Sequence, residues 1–303
     1  MTFLVDLDAS GDVAGFEVLR STIRPRARLT YEDADRAIAT GVGPFAGLLR
    51  DLSLAAELRE GRRVAAGAVR IVSPEVDVRV AADGRVELDR SDSSSPGHRL
   101  VSEAMVLAGA VGARYCVERG LPAIYRRQAA PEGPLPPRQG EGVDFVAARA
   151  LRKAMRKGEV SLQPGPHYAL GLPAYAQVTS PLRRYQDLAV HRQIARVLEG
   201  RPPAHDVESL QRIAATTEAS ENDGRRAERA SDRYWLLRYL EQHRDEPVEA
   251  MVVETVPRPV VLLIETLLEQ PAPGLAGVAL GASLFLRIER VNPRADILVL
   301  RPA

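Results

Sequence analysis

The chain has 303 residues, 45% of them hydrophobic and 27% charged, with a formal net charge of +1. That length can bury a substantial core, with two domains as the usual expectation, and the balanced charge excludes a partner held by a global electrostatic field, so any nucleic-acid contact must come from local clusters. A single cysteine, Cys116, excludes a disulfide framework and four-cysteine zinc sites and fits a reducing cytoplasm.

Residues 3–9 and 13–23 alternate as a hairpin around Ser10-Gly11-Asp12, with no charged leader and apolar stretch after Met1. Asp6 and Asp8 share one strand face, where they either chelate a cation or line a solvated edge. Arg20, Arg24, Arg26 and Arg28 fall on one side of an extended segment, flanking a phosphate path or facing water. Thr30 then caps a helix, with Asp33 three residues on. A second helix over about 44–59 carries Phe45, Leu48, Leu49, Leu52, Ala55 and Leu58 at helical intervals, which predicts a core-facing stripe.

Alternation returns over 64–88 around Asp83-Gly84, a second hairpin. A long helix over about 98–119 is stopped by Gly120, and within it Val106, Ala110, Ala113 and Val117 make Cys116 a packed thiol. Residues 121–127 read as a strand delivering Tyr125, Arg126 and Arg127, followed by a proline-rich linker over 131–137, a helix over about 143–157 and an irregular strand over 163–170. No uninterrupted run of about 18 apolar residues occurs, so no membrane span is expected.

The stretch Tyr175 to Arg192 reads Y-A-Q-V-T-S-P-L-R-R-Y-Q-D-L-A-V-H-R. Thr179 or Ser180 as cap and Pro181 as the first helical residue predict a helix over about 181–198. Arg183 and Arg184 then occupy the first turn, where the helix dipole disfavours cations. Either an anion such as phosphate or carboxylate binds there, or one arginine pairs with Asp187. His191, four residues after Asp187, suggests a structural Asp–His or Asp–Arg pair on one helix face.

A very long helix follows over about 206–243, with Leu210, Ile213, Thr217, Ser220, Gly224 and Ala227 as an inward stripe whose small members would let another helix approach. Glu228 and Arg229 lie beside that stripe. Beyond a boundary near residue 245, short strands separated by Pro and Gly turns predict a small five-stranded barrel. No phosphate-binding glycine loop, dinucleotide fingerprint or H-E-x-x-H pair is present.

The Tyr175–Arg192 stretch resembles the signature of the catalytic domain of the ribonuclease II and ribonuclease R family, close to Y-x-x-x-T-S-P-I-R-R-Y-x-D-x-x-x-H-R. Leu29-Thr30-Tyr31-Glu32, Gly67-Ala68, Leu100 to Met105, Ile124-Tyr125-Arg126 and His167 to Leu172 resemble family segments in the same order, over most of residues 3–242. The resemblance implies an α+β fold: a mixed RNB-type catalytic domain over 1–245 with long helices, then an OB/S1-like β-barrel over 246–303. It further implies hydrolysis of single-stranded RNA, processively from the 3′ end to nucleoside 5′-monophosphates with magnesium; the expected setting is a cytoplasmic monomer.

Carried across by motif, Arg183 would hold the scissile phosphate, Tyr31 would sense the terminal ribose and Glu228 would lie near the exit of the leaving nucleotide. Thr179, Ser180, Arg184, Tyr185, Arg192, Tyr125, Arg126 and Glu103 would bind or shape the RNA and phosphate path, and Asp187 and His191 also match the motif. The departures concern metal and stacking. The family's aspartate run, of the type D-x-x-x-x-x-D-x-D-D, belongs before the first strand and occurs nowhere in these residues, so no metal ligand is assigned. Ser102 replaces the first of two glutamates, Ile71 a base-stacking aromatic and Gln128 a histidine, while Phe285 is the only aromatic after Tyr239. A non-catalytic single-stranded-RNA-binding relative is the alternative.

Overall fold

The structure is a computed structural model that describes residues 1–70, 74–91, 94–136 and 144–303. Two compact units emerge, and neither is continuous in the chain. The first comprises 1–70, 94–133 and 155–220; the second comprises 71–93, 134–154 and 221–303, where the sequence placed a boundary near residue 245. Ile71, the expected loss of a stacking aromatic, lies outside the described residues.

The first unit opens with the antiparallel hairpin β1 (Thr2–Leu7) and β2 (Val13–Leu19), registered Thr2 to Leu19 and Val5 to Phe16. Residues 20–30 are exposed and form no strand. The helix α1 (Tyr31–Thr40) starts at the expected capping box: Asp33 N–H donates to the Thr30 hydroxyl and the Asp33 carboxylate accepts from Thr30 N–H.

Helix α2 (Ala46–Ala65) corrects the predicted stripe, because Leu48, Leu52 and Leu58 face outward and its buried residues are Ala46, Ser53, Ala56 and Arg59. The reason is ionic. Arg63, on the inward side, makes a bidentate pair with Glu103 of α3 (Pro96–Glu118), itself 5% exposed, and donates to the Leu170 carbonyl at 3.0 Å.

Helix α3 is long and apolar enough to cross a bilayer, with a mean hydropathy of 1.4 over its best window, although no uninterrupted apolar run marks it in the sequence. Its Val111, Ala113, Tyr115 and Cys116 lie in the core of the first unit with Ala176, Val178, Ala189 and Ile194. Burial pushes the Cys116 thiol up to about 12.

Short strands β5 (Tyr125–Arg127) and β6 (Glu159–Ser161) pair antiparallel. The predicted strand over 163–170 is instead a bridged loop ending in a 3-10 turn over Tyr168–Leu170, pinned by Gln128. That buried amide donates to the Arg156 carbonyl at 2.6 Å and accepts from Ala169 N–H at 2.9 Å.

Gly109 and Gly112 lie one turn apart on α3 and form the groove in which residues 175–178 run. A Cβ on Gly109 would meet the Tyr175 ring and lie 2.8 Å from the Ala176 carbonyl; one on Gly112 would lie 2.9 Å from Val178 Cγ1. Ala176 N–H donates to the Gly109 carbonyl at 3.2 Å, and Arg126 N–H donates to the Tyr175 carbonyl at 2.9 Å. Helix α5 (Tyr185–Leu198) follows.

The 36-residue helix α6 (Val207–Gln242) runs through Ser220 in the first unit and from Glu221 in the second. Leu210 is fully buried, but Ser220, Gly224 and Ala227 are exposed, so the expected small-residue contact stripe is absent there.

In the second unit, β3 (Glu75–Val80) and β4 (Val86–Ser91) form a hairpin, and helix α4 spans Phe145–Ala154. The strands β7 (Val248–Glu254), β8 (Val260–Leu263), β9 (Glu269–Pro271), β10 (Ser283–Asn292) and β11 (Ile297–Pro302) form one antiparallel sheet in the order β11-β10-β7-β8-β9. The sheet curls almost closed, with the Gln270 amide on β9 donating to the Leu298 carbonyl on β11 at 2.8 Å. Val252, Val261, Leu263 and Leu286 fill it, with Leu237 and Leu240 of α6. Arg149 of α4 pairs with Glu254 at 2.5 Å and with Glu269.

The glycine groove is sensitive to a single methyl. Gly109→Ala is expected to destabilise the chain by about 1–3 kcal/mol through overpacking, read as a lower urea midpoint; an unchanged midpoint would remove the groove as a constraint.

Candidate phosphate-binding site

The motif lies where the groove ends. The Val178 carbonyl and the His191 Nε2 are 2.6 Å apart, which ties the extended segment to α5. Residues 180–183 then form a tight turn, with Arg183 N–H and Arg184 N–H both donating to the Ser180 carbonyl, at 3.2 and 2.9 Å. The helix starts later than its sequence suggests. Arg184, not Thr179 or Ser180, occupies the cap position, it makes no side-chain cap bond, and Pro181 precedes the helix.

Asp187 explains the shift. Its carboxylate, 0% exposed, accepts from Ser180 N–H at 2.9 Å and from Arg184 Nε and Nη2 at 2.9 and 2.7 Å. An acid at the third helical position usually returns to the cap residue's own N–H. Here it reaches back to Ser180 and folds the preceding turn against the helix. Arg184 also donates to the Thr179 hydroxyl at 3.3 Å.

The two arginines therefore divide. Arg184 is the partner of Asp187, which settles the structural pairing in favour of Asp–Arg. Arg183 is exposed and has no side-chain partner among the described residues. Both lie at the helix N-terminus just ahead of its first turn, Arg184 offset by the Asp187 carboxylate and Arg183 carrying a free guanidinium on the turn that precedes the helix. Leu182 beside it is fully exposed. On α5, Arg192 Nη1 donates to the Tyr185 hydroxyl at 3.2 Å and its guanidinium lies 5.7 Å from that ring.

Other expected site residues are placed differently. Tyr31 is 39% exposed and stacks on His98 with ring centroids 3.5 Å apart, a partner the sequence reading missed. Asp35 fixes the two helices by accepting from Gly97 N–H at 2.6 Å. A Ser-Pro helix start at Ser95-Pro96, which puts His98 in the first turn, was the available signal.

Tyr125 is buried in the core, with its hydroxyl pKa raised by burial, so its ring is not presented to solvent for RNA. Arg126 Nε donates to the Gln177 side chain at 3.1 Å. The Glu103 carboxylate is buried and fully engaged by Arg63, which leaves it a structural part and not an open contact for RNA. Glu228 is exposed on the part of α6 that belongs to the second unit.

The metal that the resemblance implies does not fit the donors present. No group of three or more His, Cys, Asp or Glu side chains among the described residues could hold an ion. Asp8 accepts from Ser10 and from Asp12 N–H, which holds its carboxyl below the usual range, and Asp12 pairs with Arg62. These hairpin aspartates shape the turn.

A turn that presents one uncommitted arginine from an α+β unit is a candidate anion site. The family follows from sequence: the RNB domain model matches residues 1–134 and 137–200, and the chain belongs to that family. It is 33% identical over 98% of its length to an uncharacterized ribonuclease of Synechocystis and spans 45% of that protein, so it covers under half of this relative's length. In fold it is similar to RNase R of Mycoplasma genitalium in complex with ribose-methylated single-stranded RNA, with TM-score 0.83 and 14% identity, covering 99% of this chain and 57% of that one. It is likewise similar to yeast Ssd1, described as a pseudonuclease, with TM-score 0.70 and 19% identity, covering 93% and 40%.

Two stability measurements separate the motif's parts. Asp187→Ala removes the carboxylate paired with Arg184 and is expected to cost about 3–5 kcal/mol, whereas Arg183→Ala should stay within about 0.5 kcal/mol of the parent; equal losses in urea unfolding would contradict the division.

Burial lowers the pKa values of His191 and His167 in the folded chain. The unfolded chain therefore takes up protons below about pH 6.5 that the folded chain refuses, and stability falls as pH drops through that value towards the folded pKa values. His191→Gln should lose less stability than the parent between pH 7 and 5.5; an equal or larger loss would exclude His191 as a source.

Proposed function

We propose that this chain is the phosphate-gripping part of a ribonuclease that shortens single-stranded RNA from its 3′ end, processively, to nucleoside 5′-monophosphates. The observation that carries the reading is Arg183, a cation with no side-chain partner among the described residues, on a turn fixed by Arg184 and Asp187. The fixed turn sets the backbone from which this guanidinium can reach a phosphoryl group on which negative charge develops. The Tyr31–His98 stack offers a flat surface for the terminal nucleotide.

In this reading residues 1–245 act as the catalytic domain and 246–303 as an S1-type guide, with Phe285 its exposed aromatic. The exposed Glu228 is assigned to the exit of the nucleotide. The setting is a cytoplasmic monomer. Membership of the RNB family and likeness in fold to an RNA-bound RNase R support RNA as the substrate.

A second reading is RNA binding without hydrolysis. It is favoured by the absence of a metal-ligating cluster among the described residues and by likeness in fold to a pseudonuclease. Both readings meet the same experiment: 5′-labelled single-stranded RNA incubated in magnesium buffer with the whole ribonuclease of which this chain is the proposed part, with binding followed by fluorescence anisotropy. The first expects stepwise 3′ shortening that Arg183→Ala slows about 100-fold or more. Binding without shortening, weakened by Arg183→Ala, selects the second. No binding, or RNA turnover indifferent to Arg183→Ala, removes the role given to that residue.

A further inference from the structure

We propose that the first unit carries a second anion site, centred on Arg59, that takes a phosphate group. It shares no residue with the Arg183 turn and does not rest on the ribonuclease reading.

A cavity of about 350 Å³ is walled by the β1–β2 turn, the last turns of α2, α3 and residues 171–173, and four arginines reach it. Three are neutralised in place. Arg62 pairs with Asp12, with Nε to Oδ1 at 3.0 Å; Arg63 pairs with Glu103, with Nε to Oε2 at 3.0 Å; Arg114 pairs with Glu118 at 2.6 Å.

Arg59 is different. It is 8% exposed, its one hydrogen bond among the described residues runs from Nη1 to the Gly11 carbonyl at 2.8 Å, and its buried Nε has no partner there. Burial pulls its pKa down, while Glu103 and Asp12 act on it only through space because both carboxylates are already engaged. An arginine does not shed its proton in a protein, so the charge remains, and a buried charge without a counter-ion is costly.

Two glycine turns pack against α2 beside it. At Gly11, φ is +82° and a Cβ would stand 3.0 Å from the Leu58 backbone carbon; at Gly171, φ is +62° and a Cβ would stand 2.6 Å from the Arg63 carbonyl oxygen. Both turns press directly on α2, so the backbone at two sides of the cavity is packed against the helix that carries Arg59. A planar fork of donors in a cationic pocket matches the oxygens of a phosphate group.

A second cavity of about 360 Å³ shares Val13, Arg114 and Pro173 with the first and is otherwise apolar, lined by Ala110, Val111 and Val117 among others. It gives room for a group attached to the phosphate. The ligand is therefore inorganic phosphate or a phosphate monoester with an apolar or aromatic body.

The test uses the whole 303-residue chain carrying Arg183→Ala, so that the turn contributes no binding. Isothermal titration with inorganic phosphate should give one site, and adding Arg59→Met should weaken it at least tenfold. Should Arg59→Met abolish cooperative unfolding, Ala66→Glu decides instead, because Ala66 is exposed on the rim and an added carboxylate there repels the anion with the fold intact. A nucleoside 5′-monophosphate titrated in parallel identifies the source: tighter binding than inorganic phosphate marks an ester, and equal binding marks the free ion. No phosphate binding in the Arg183→Ala chain, or affinity unchanged by Ala66→Glu, overturns the site. RNA turnover is read separately and can fail or succeed without moving this result.

Discussion

One carboxylate organises the functional turn. Asp187 is withdrawn from solvent and takes three donors, two from Arg184 and one from the Ser180 backbone. A buried acid in this position needs a cation, and it takes the nearer of two adjacent arginines. The other is left outside with its charge unspent. The uncommitted state of Arg183 is a result of the saturation of Asp187.

That turn is held from beneath by backbone as well as by charge. Residues 175–178 can lie on α3 because Gly109 and Gly112 lack side chains, and the segment is then fixed at the Tyr175, Ala176 and Val178 backbones by three different elements. These contacts fix the backbone of the turn, while the Arg183 side chain that it carries stays exposed.

What the sequence disclosed followed the range of the forces involved. The Thr30 capping box, the first hairpin and the closing strands were legible because each is written in neighbouring residues. The face of α2 was not. Its hydrophobic periodicity points to Leu48, Leu52 and Leu58, but the pairing of Arg63 with Glu103, forty residues away, turns the other side inward. The start of α5 failed for a related reason, because a Ser-Pro pair is a good helix start until an acid three residues into the helix reaches back past the cap. The Tyr175–Arg192 motif could not say that Tyr125 and Glu103 are buried or that Arg59 Nε lacks a hydrogen-bond partner among the described residues, since those facts depend on what packs around them.

The lone thiol has a practical meaning. Cys116 has no exposed surface, and a pKa near 12 leaves almost no thiolate to react in neutral solution. The native chain is thus silent towards maleimides and other alkylating probes. A cysteine introduced at an exposed position such as Leu182 would be the single reactive sulfur in the folded molecule, and a dye attached there would report on the arginine turn without first stripping the protein of its own cysteine.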